Sequence, residues 1–447
     1  MTILRHWMGY WNRREPIGAS SSTSRPLKGA RYLALGIASI RCAQVLLLVV
    51  VLQEVEPANF GEFSMASAIV ALALYCAEGG LIQATTSAGA LSSQVESAAA
   101  TYAALTGTAF YGVAVAAAFA VSQVSRMPML VSYVEVLGSS IVPSAIAAVS
   151  IGRMQRQALY RRLATKQSIV GVVSILVCLV PLALGFGVWA LIIQSWTVAT
   201  VFSAWVITDV NTRIIPNWRL REASSIRRTA SFALTANIFG VVGRRADDVL
   251  VGTILGAAAL GQYSVGYRAL TTVTEIVLHP AERVALSRMG TERLSQPAEA
   301  LRYSGQAQRR LAVIAMPLFI GIGGLLYIVV PLALGPEWSQ AALCSLVLCA
   351  AGAVQSTYWL TYSTLYVLAS PRKSLAYQII SVIILLGFTA SGLSWGVIGC
   401  ATGYATGTLV CLAVAMQMKA RWLRSDEPAM ITSASTLSGQ ASLLRHT

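Results

Sequence analysis

Charged side chains interrupt the apolar stretch 229–286, and their types suit the binding of an anion. Arg244 and Arg245 are adjacent, Arg268 follows further along, and Arg41 lies well inside the first apolar stretch. A guanidinium stays charged and offers a planar set of donors that fits phosphate oxygens. A charge near a bilayer centre costs about 3 kcal/mol or more unless it faces a partner or a wet cavity. These arginines therefore predict a site for an anionic head group.

Two amides extend the predicted binding set. Gln44 lies one helical turn beyond Arg41, and Asn237 lies in the same apolar stretch as the arginine pair. The predicted substrate-binding residues are Arg41, Gln44, Asn237, Arg244, Arg245 and Arg268.

Four acids inside apolar stretches are candidates for coupling to an ion: Glu78, Asp247, Asp248 and Glu275. A partly desolvated carboxylate can take up a proton or a sodium ion. Structural pairing is the alternative, since Arg245 and Asp248 are spaced i, i+3 and can neutralise each other along a helix. Arg268 and Asp248 are predicted at similar depths and can also pair. The spacing leaves these alternatives open.

Composition places the chain among polytopic membrane proteins. Its 447 residues are 56% hydrophobic and 11% charged, and the apolar runs repeatedly reach the ~20 residues that span a bilayer. The net charge of +15 comes from loops between these runs rather than from one soluble face, which argues against nucleic acid as a partner. The seven cysteines and three histidines are too scattered for a metal centre, so neither a metal nor a cofactor is expected.

About twelve transmembrane helices are predicted, because helices satisfy their own backbone hydrogen bonds in lipid and the barrel-strand alternation is missing. The predicted spans are 31–52, 63–85, 99–122, 128–150, 166–185, 188–208, 229–254, 262–285, 310–332, 340–367, 374–393 and 395–417. Lys and Arg concentrate in the tails and in alternate linkers, so both termini are predicted to be cytoplasmic. The expected parts are a basic tail (1–30), a first six-helix lobe (31–208), a cytoplasmic linker (209–228), a second lobe (229–418) and a disordered tail (419–447).

An internal repeat supports the division into two lobes. Phe60-Gly61-Glu62-Phe63-Ser64-Met65 matches Leu260-Gly261-Gln262-Tyr263-Ser264-Val265 at an offset of 200 residues. Gly187-Val188-Trp189 is echoed by Gly396-Val397-Ile398. Because six helices separate the copies, the lobes have the same orientation and are predicted to be related by a pseudo-two-fold axis along the membrane normal. Such duplication typically supports transport through a site between the halves.

The tract Asp248-Val249-Leu250-Val251-Gly252-Thr253-Ile254-Leu255-Gly256, the Leu260–Val265 motif and Asn59-Phe60-Gly61-Glu62-Phe63 resemble a known family. They look like the Wzx-type polysaccharide flippases of the multidrug/oligosaccharidyl-lipid/polysaccharide exporter superfamily, over about residues 31–418. The resemblance implies a bacterial inner-membrane protein with a cationic cavity between two lobes. It implies an undecaprenyl-pyrophosphate-linked oligosaccharide as substrate, moved from the cytoplasmic to the periplasmic leaflet for surface or exopolysaccharide synthesis. Membrane lipids, a coupling H+ or Na+, and the polysaccharide polymerase and export machinery are the implied partners. The doubled acid Asp247-Asp248 after Arg244-Arg245 departs from the single acid expected there.

Two other functions compete with flipping. A cation-coupled drug antiporter of the same superfamily would favour acids and aromatics in its cavity, against which the excess of arginine argues. A membrane glycosyltransferase or polymer ligase usually needs a long external loop with acids, Arg or His, and no outer loop here is long enough. The chain is therefore expected to be a transporter and not an enzyme.

Overall fold

The computed structural model describes residues 44, 47–88, 92–209, 217–219, 223, 224, 226, 230, 243, 245–295 and 297–443. For residues 287, 291–295, 297, 298, 371 and 422–443 it describes the backbone only. Within this part of the chain all regular structure is helical and no strand occurs. The predicted all-α class is confirmed.

The first half contains helices whose ends follow local capping signals. Ser92, for example, accepts a hydrogen bond from the backbone N–H of Val95 at the start of a 33-residue helix. The helices of this half are α1 (Pro57–Glu78), α2 (Leu81–Ser87), α3 (Ser93–Ser125), α4 (Leu130–Gly138), α5 (Ile141–Arg156), α6 (Tyr160–Ala183) and α7 (Trp189–Thr208).

The second half begins, within the described residues, with a helical segment at 245–255. Its further helices are α8 (Ala257–Val273), α9 (His279–Ser295), α10 (Pro297–Leu334), α11 (Ser339–Ser356), α12 (Thr361–Thr364), α13 (Pro371–Gly392) and α14 (Gly396–Leu443). π-Helical turns at Thr274–Leu278 and Leu365–Ala369 follow α8 and α12, and short 3-10 turns precede α11 and α14.

Eight helical stretches of the described part are long and apolar enough to cross a membrane. The last of them, Arg372–Arg421, contains α13, a 3-10 turn and α14, which pack against each other as a hairpin and so account for two predicted spans. The charged span predicted at 262–285 corresponds to most of α8, the π-helical turn after it and the start of α9. The spans predicted at 31–52 and 229–254 fall largely outside the described residues, and the total of twelve stays a prediction.

The helices of each half pack mainly with one another, and the principal contact between the halves joins α1 to α8. At this contact the two copies of the repeat lie against each other. A methyl group placed on Gly61 would lie 1.8 Å from the carbonyl oxygen of Ala257, and one placed on Gly261 would lie 1.9 Å from that of Pro57. Only glycine allows two helix backbones to approach so closely. The reciprocal pattern is what a pseudo-two-fold axis between two lobes produces.

The residues after these glycines also play matching roles. Glu62 Oε2 accepts a hydrogen bond of 2.9 Å from the backbone N–H of Met129, and Gln262 Oε1 accepts one of 2.7 Å from that of Ala341. Met129 lies at the start of the fourth predicted span, and Ala341 lies at the start of the tenth. Each lobe therefore uses the same position of the repeat to satisfy a backbone donor at the start of an equivalent helix.

The second helix of each repeat is interrupted at the same place by different means. In the first copy Gly79 and Gly80 adopt left-handed φ angles of 54° and 74° between α1 and α2. At the equivalent place in the second copy stands Pro280, which has no N–H to donate to the preceding turn. The π-helical turn Thr274–Leu278 accommodates this loss directly before it.

Some helices are longer than the predicted spans. α3 begins at Ser93 and α10 at Pro297, several residues before the predicted spans, because span lengths were inferred from bilayer thickness and a helix need not end at the membrane surface. The predicted disordered tail also differs: the backbone of α14 continues helically to Leu443. Because the preceding helix is already formed, the helix can continue into the tail without a new nucleation step.

Candidate functional site

The predicted site residues fall into three groups. Arg41, Asn237 and Arg244 lie outside the described residues. Arg245, Asp247, Asp248 and Arg268 lie on the helical segment 245–255 and on α8, next to the contact between the lobes. Glu78, Glu275 and Gln44 lie elsewhere, and all three are partly buried.

Asp247 and Asp248 form a buried acid pair, each 2% exposed. Asp247 Oδ2 accepts a hydrogen bond of 3.0 Å from the hydroxyl of Tyr263, and Oδ1 accepts one of 3.0 Å from the backbone N–H of Asp248. The turn at Gly256 brings α8 back against the segment 245–255, which places Tyr263 beside Asp247. Both oxygens of Asp247 are thus held by donors of the second lobe.

Arg245 pairs with Asp248, as the i, i+3 spacing predicts. The distance from Arg245 Nη1 to Asp248 Oδ2 is 3.1 Å, and the Arg245 side chain is 39% exposed while that of Asp248 is 3% exposed. The other carboxylate oxygen of Asp248 is buried and has no hydrogen-bond partner among the described residues. A buried carboxylate therefore fixes the Arg245 guanidinium, while much of the Arg245 side chain stays exposed.

Arg268 lies on α8 but contacts the first lobe. Its guanidinium is centred 5.1 Å from the ring of Phe60 and 5.5 Å from the ring of Phe63. Such cation–π contacts contribute about 0.5–2 kcal/mol depending on desolvation. Arg268 is also close enough to interact electrostatically with Asp248. It therefore connects the acid pair of one lobe with the aromatic repeat of the other.

A group of tyrosines beside the acid pair was missed from the sequence. Tyr263 and Tyr267 stack with ring centroids 5.9 Å apart, and Tyr404 contacts Tyr267 edge-on at 6.1 Å. Two signals could have found the first pair: the i, i+4 spacing on one helix face, and the replacement of Phe63 by Tyr263 in the second copy of the repeat. Tyr404 comes from α14 and had no local signal.

Among the residues that the structure describes, the charge cluster belongs to the second lobe. At the offset of 200 residues the counterparts of Asp247 and Asp248 are Leu47 and Leu48, which are 6% and 9% exposed and belong to the apolar core. At these two positions the second lobe therefore carries acids where the first lobe carries buried apolar side chains.

The structure does not bring the other acids to this cluster. Glu78 is the last residue of α1, and Glu275 lies in the π-helical turn after α8. Twelve residues separate Tyr263 from Glu275, which is about 18 Å along a helix. Among the described residues, no three His, Cys, Asp or Glu side chains lie together as a metal site requires.

Comparison with known proteins adds a family to this geometry. A profile of the family described as "Polysaccharide biosynthesis protein" matches residues 55–343. The chain belongs to this family. The match covers most of both repeats, including the acid pair, the Tyr263 hydroxyl and the contact between the lobes. A comparison with curated protein sequences finds no significant match.

Solved structures with the same fold are transporters. The inward closed conformation of the lipid II flippase MurJ aligns with a TM-score of 0.72 at 10% identity, covering 86% of each chain. An inward-facing multidrug resistance transporter of the MATE family aligns with a TM-score of 0.69 at 14% identity, covering 89% of this chain and 99% of the other. A transporter of the same superfamily from Pyrococcus furiosus aligns at 0.59 with 14% identity, covering 89% and 96%. The fold is that of the multidrug/oligosaccharidyl-lipid/polysaccharide exporter superfamily, and the chain is a multi-pass membrane protein.

Proposed function

We propose that the protein flips an undecaprenyl-pyrophosphate-linked oligosaccharide from the cytoplasmic to the periplasmic leaflet of the bacterial inner membrane. The observation that carries the proposal is Arg245, an arginine paired with a buried acid yet 39% exposed, in a member of a polysaccharide biosynthesis family. A pyrophosphate needs charge-assisted donors in a fixed orientation, and a carboxylate behind the guanidinium supplies that orientation. Arg41 and Arg244 are the further candidates for the same anion.

Alternating access is the proposed mechanism. The contact between Gly61 and Gly261 lies one turn into α1 and α8, next to loops that the distribution of Lys and Arg assigns to the periplasm. Gln53, in the loop before α1, donates a hydrogen bond of 3.2 Å to the carbonyl of Ala333 in the other half, at the same end. This arrangement corresponds to a form closed toward the periplasm. Transport then requires the two backbones to separate at the glycines.

Ion coupling is assigned to the acid pair. Asp247 and Asp248 are buried next to each other. Arg245 and Arg268 both act on Asp248, whereas Asp247 accepts hydrogen bonds from the Tyr263 hydroxyl and a backbone N–H. Two adjacent buried carboxylates are costly unless a proton or another cation joins them. Uptake of H+ or Na+ here would alter the orientation of Arg245 through Asp248, and so couple the ion to the binding of the substrate.

The second candidate function is cation-coupled drug export. Tyr263, Tyr267 and Tyr404 lie beside Asp247 and Asp248. Aromatic rings next to acids are a common environment for binding organic cations. The two functions are separated by reconstituting the purified chain in proteoliposomes and offering either a lipid-linked oligosaccharide or a lipophilic cation such as ethidium. Flipping of the first without transport of the second supports the proposal, and the reverse result supports the antiporter.

The proposal includes the orientation of the protein in the membrane and its partners. Both termini are proposed to be cytoplasmic because the basic linkers lie on their side. A polysaccharide polymerase and the export machinery on the periplasmic side are the proposed recipients of the flipped substrate.

A further inference from the structure

We propose that a side-chain cluster between the eighth and tenth spans binds a sugar ring of the transported lipid, with Trp359 as its platform and Glu282, His279 and Ser363 as its polar contacts. The inference rests on the proposed function and assigns the saccharide part of the substrate to a place separate from the arginines. It is carried by a side-chain cluster, by the interrupted tenth span and by the π-helical turn of the eighth.

The tenth span, predicted at 340–367, is interrupted in the second half of its length. α11 ends at Ser356, residues 357–360 form a turn, and the short α12 leads into the π-helical turn Leu365–Ala369. Non-helical backbone at membrane depth is tolerated only where it is buried in protein or lines a water-filled cavity. Broken helices of transporters commonly border the substrate.

Gln308 of α10 maintains this interruption. Its Nε2 donates a hydrogen bond of 2.6 Å to the carbonyl of Ser356, and its Oε1 accepts one of 2.7 Å from the backbone N–H of Leu360. One side chain thus satisfies a carbonyl on one side of the turn and an N–H on the other. These hydrogen bonds satisfy backbone groups that the turn leaves without partners in the helix. The interruption is therefore stabilised by the fold.

The polar cluster joins this broken span to α9. Glu282 Oε2 accepts a hydrogen bond of 3.1 Å from the indole N–H of Trp359, and Oε1 accepts one from the hydroxyl of Ser363. His279 Nδ1 lies 3.5 Å from Glu282 Oε2, and the His279 ring contacts the Trp359 ring edge-on at 5.3 Å. The side chains of His279 and Glu282 are 43% and 22% exposed. The cluster is ordered by its internal bonds and still open on one side.

The chemistry of the cluster fits a saccharide better than the other parts of the lipid. A pyranose ring can stack its C–H face on an indole, and its hydroxyl groups can hydrogen-bond to a carboxylate or an imidazole. Trp itself has both an apolar ring face and a polar N–H. A carboxylate has about four acceptor positions, so Glu282 retains capacity beyond its present donors. The Glu282 carboxylate would repel a pyrophosphate, and placing an ionisable group next to acyl chains is energetically unfavourable.

The test measures binding of two lipids to the purified full-length protein in nanodiscs. The probes are bare undecaprenyl pyrophosphate and the same lipid carrying a pentasaccharide. Trp359→Ala is expected to weaken binding of the glycosylated lipid about tenfold and to leave binding of the bare lipid within twofold. Trp359→Phe keeps a ring, and we expect it to remain within about threefold of the unchanged protein for both lipids.

Trp395→Ala is the matched control, since Trp395 is 78% exposed at the turn between α13 and α14. Equal weakening of both lipids by Trp359→Ala, or no weakening of either, overturns the sugar-binding role. A Trp359→Phe variant as weak as Trp359→Ala also overturns it, because the hydrogen bond to Glu282 would then matter and the ring would not. If the unchanged protein binds neither lipid, the proposed function itself fails, which is a distinguishable result.

Discussion

Gly61 and Gly261 face each other across the axis between the lobes, each packed on the carbonyl oxygen four residues before the other. The two glycines occupy the same position of the internal repeat, so one sequence feature serves both sides of the contact. At these two glycines the helices meet backbone to backbone, so this part of the contact closes without interlocking side chains.

Gly61→Ala is predicted to prevent closure at this contact, because the new methyl group would overlap the carbonyl oxygen of Ala257. We expect transport to fall at least tenfold and the separation of α1 and α8 to increase. Spin labels introduced at Asn59 and Ala259 would measure that separation by electron paramagnetic resonance.

Gly112→Ala is the control for this substitution. Gly112 lies in α3 and a methyl group there meets nothing within 4 Å, so transport and the distance distribution are expected to stay unchanged. A Gly61→Ala protein with an unaltered distance and normal transport would contradict the gating role.

Arg245 gives the prediction on substrate binding. Arg245→Ala is expected to abolish flipping while the protein still inserts, and Arg245→Lys to retain part of the activity, because an ammonium keeps the charge without the bidentate donors. If Arg245 only neutralises Asp248, the double variant Arg245→Ala/Asp248→Ala should recover activity that each single change loses. We expect no recovery. Flipping rates of the three variants and their expression levels decide between the two roles.

Tyr263→Phe is predicted to destabilise the second lobe. It removes the hydroxyl that donates to Asp247 Oδ2 and leaves this buried acceptor without its donor, at about 1–3 kcal/mol. The expected result is a lower unfolding midpoint in detergent. Tyr327→Phe is the control, since Tyr327 is 46% exposed on α10. Equal midpoints for both variants would show that the hydroxyl contributes nothing.

Gln308→Ala is predicted to destabilise the interrupted tenth span. It removes partners from both the Ser356 carbonyl and the Leu360 N–H, and unmet backbone groups cost about 1–3 kcal/mol each. Hydrogen exchange of residues 356–369 should become faster. Gln306→Ala on the exposed side of the same helix should leave exchange unchanged. Unaltered protection in the Gln308 variant would contradict the bridging role.

The topology predicts the location of reporters. Tags after Thr447 and near Ser295 are expected to read as cytoplasmic, whereas reporters near Glu56 and Glu337 should read as external, because the basic linkers lie on one side. A periplasmic signal from either of the first two positions would overturn this orientation.

The sequence predicted those features that depend on repetition or on local spacing. The match of Gly61 with Gly261 indicated two lobes, and the i, i+3 spacing indicated the ion pair of Arg245 with Asp248. The contact of Arg268 with Phe60 could not be predicted, because it depends on how two helices 200 residues apart pack. The hydrogen bonds of Gln308 across the interrupted span and the contact of Tyr404 with Tyr267 could not be predicted either. They too depend on how distant helices pack.

The most direct measurement follows a lipid-linked oligosaccharide between leaflets in proteoliposomes that contain the purified protein. The label is a fluorescent group on the sugar, and membrane-impermeant dithionite reports the fraction exposed on the outer side. The account predicts that the substrate loaded in one leaflet becomes accessible in the other, at a rate that Arg245→Ala reduces at least tenfold. A rate equal to that of protein-free liposomes, measured with folded protein that exports ethidium, would contradict it.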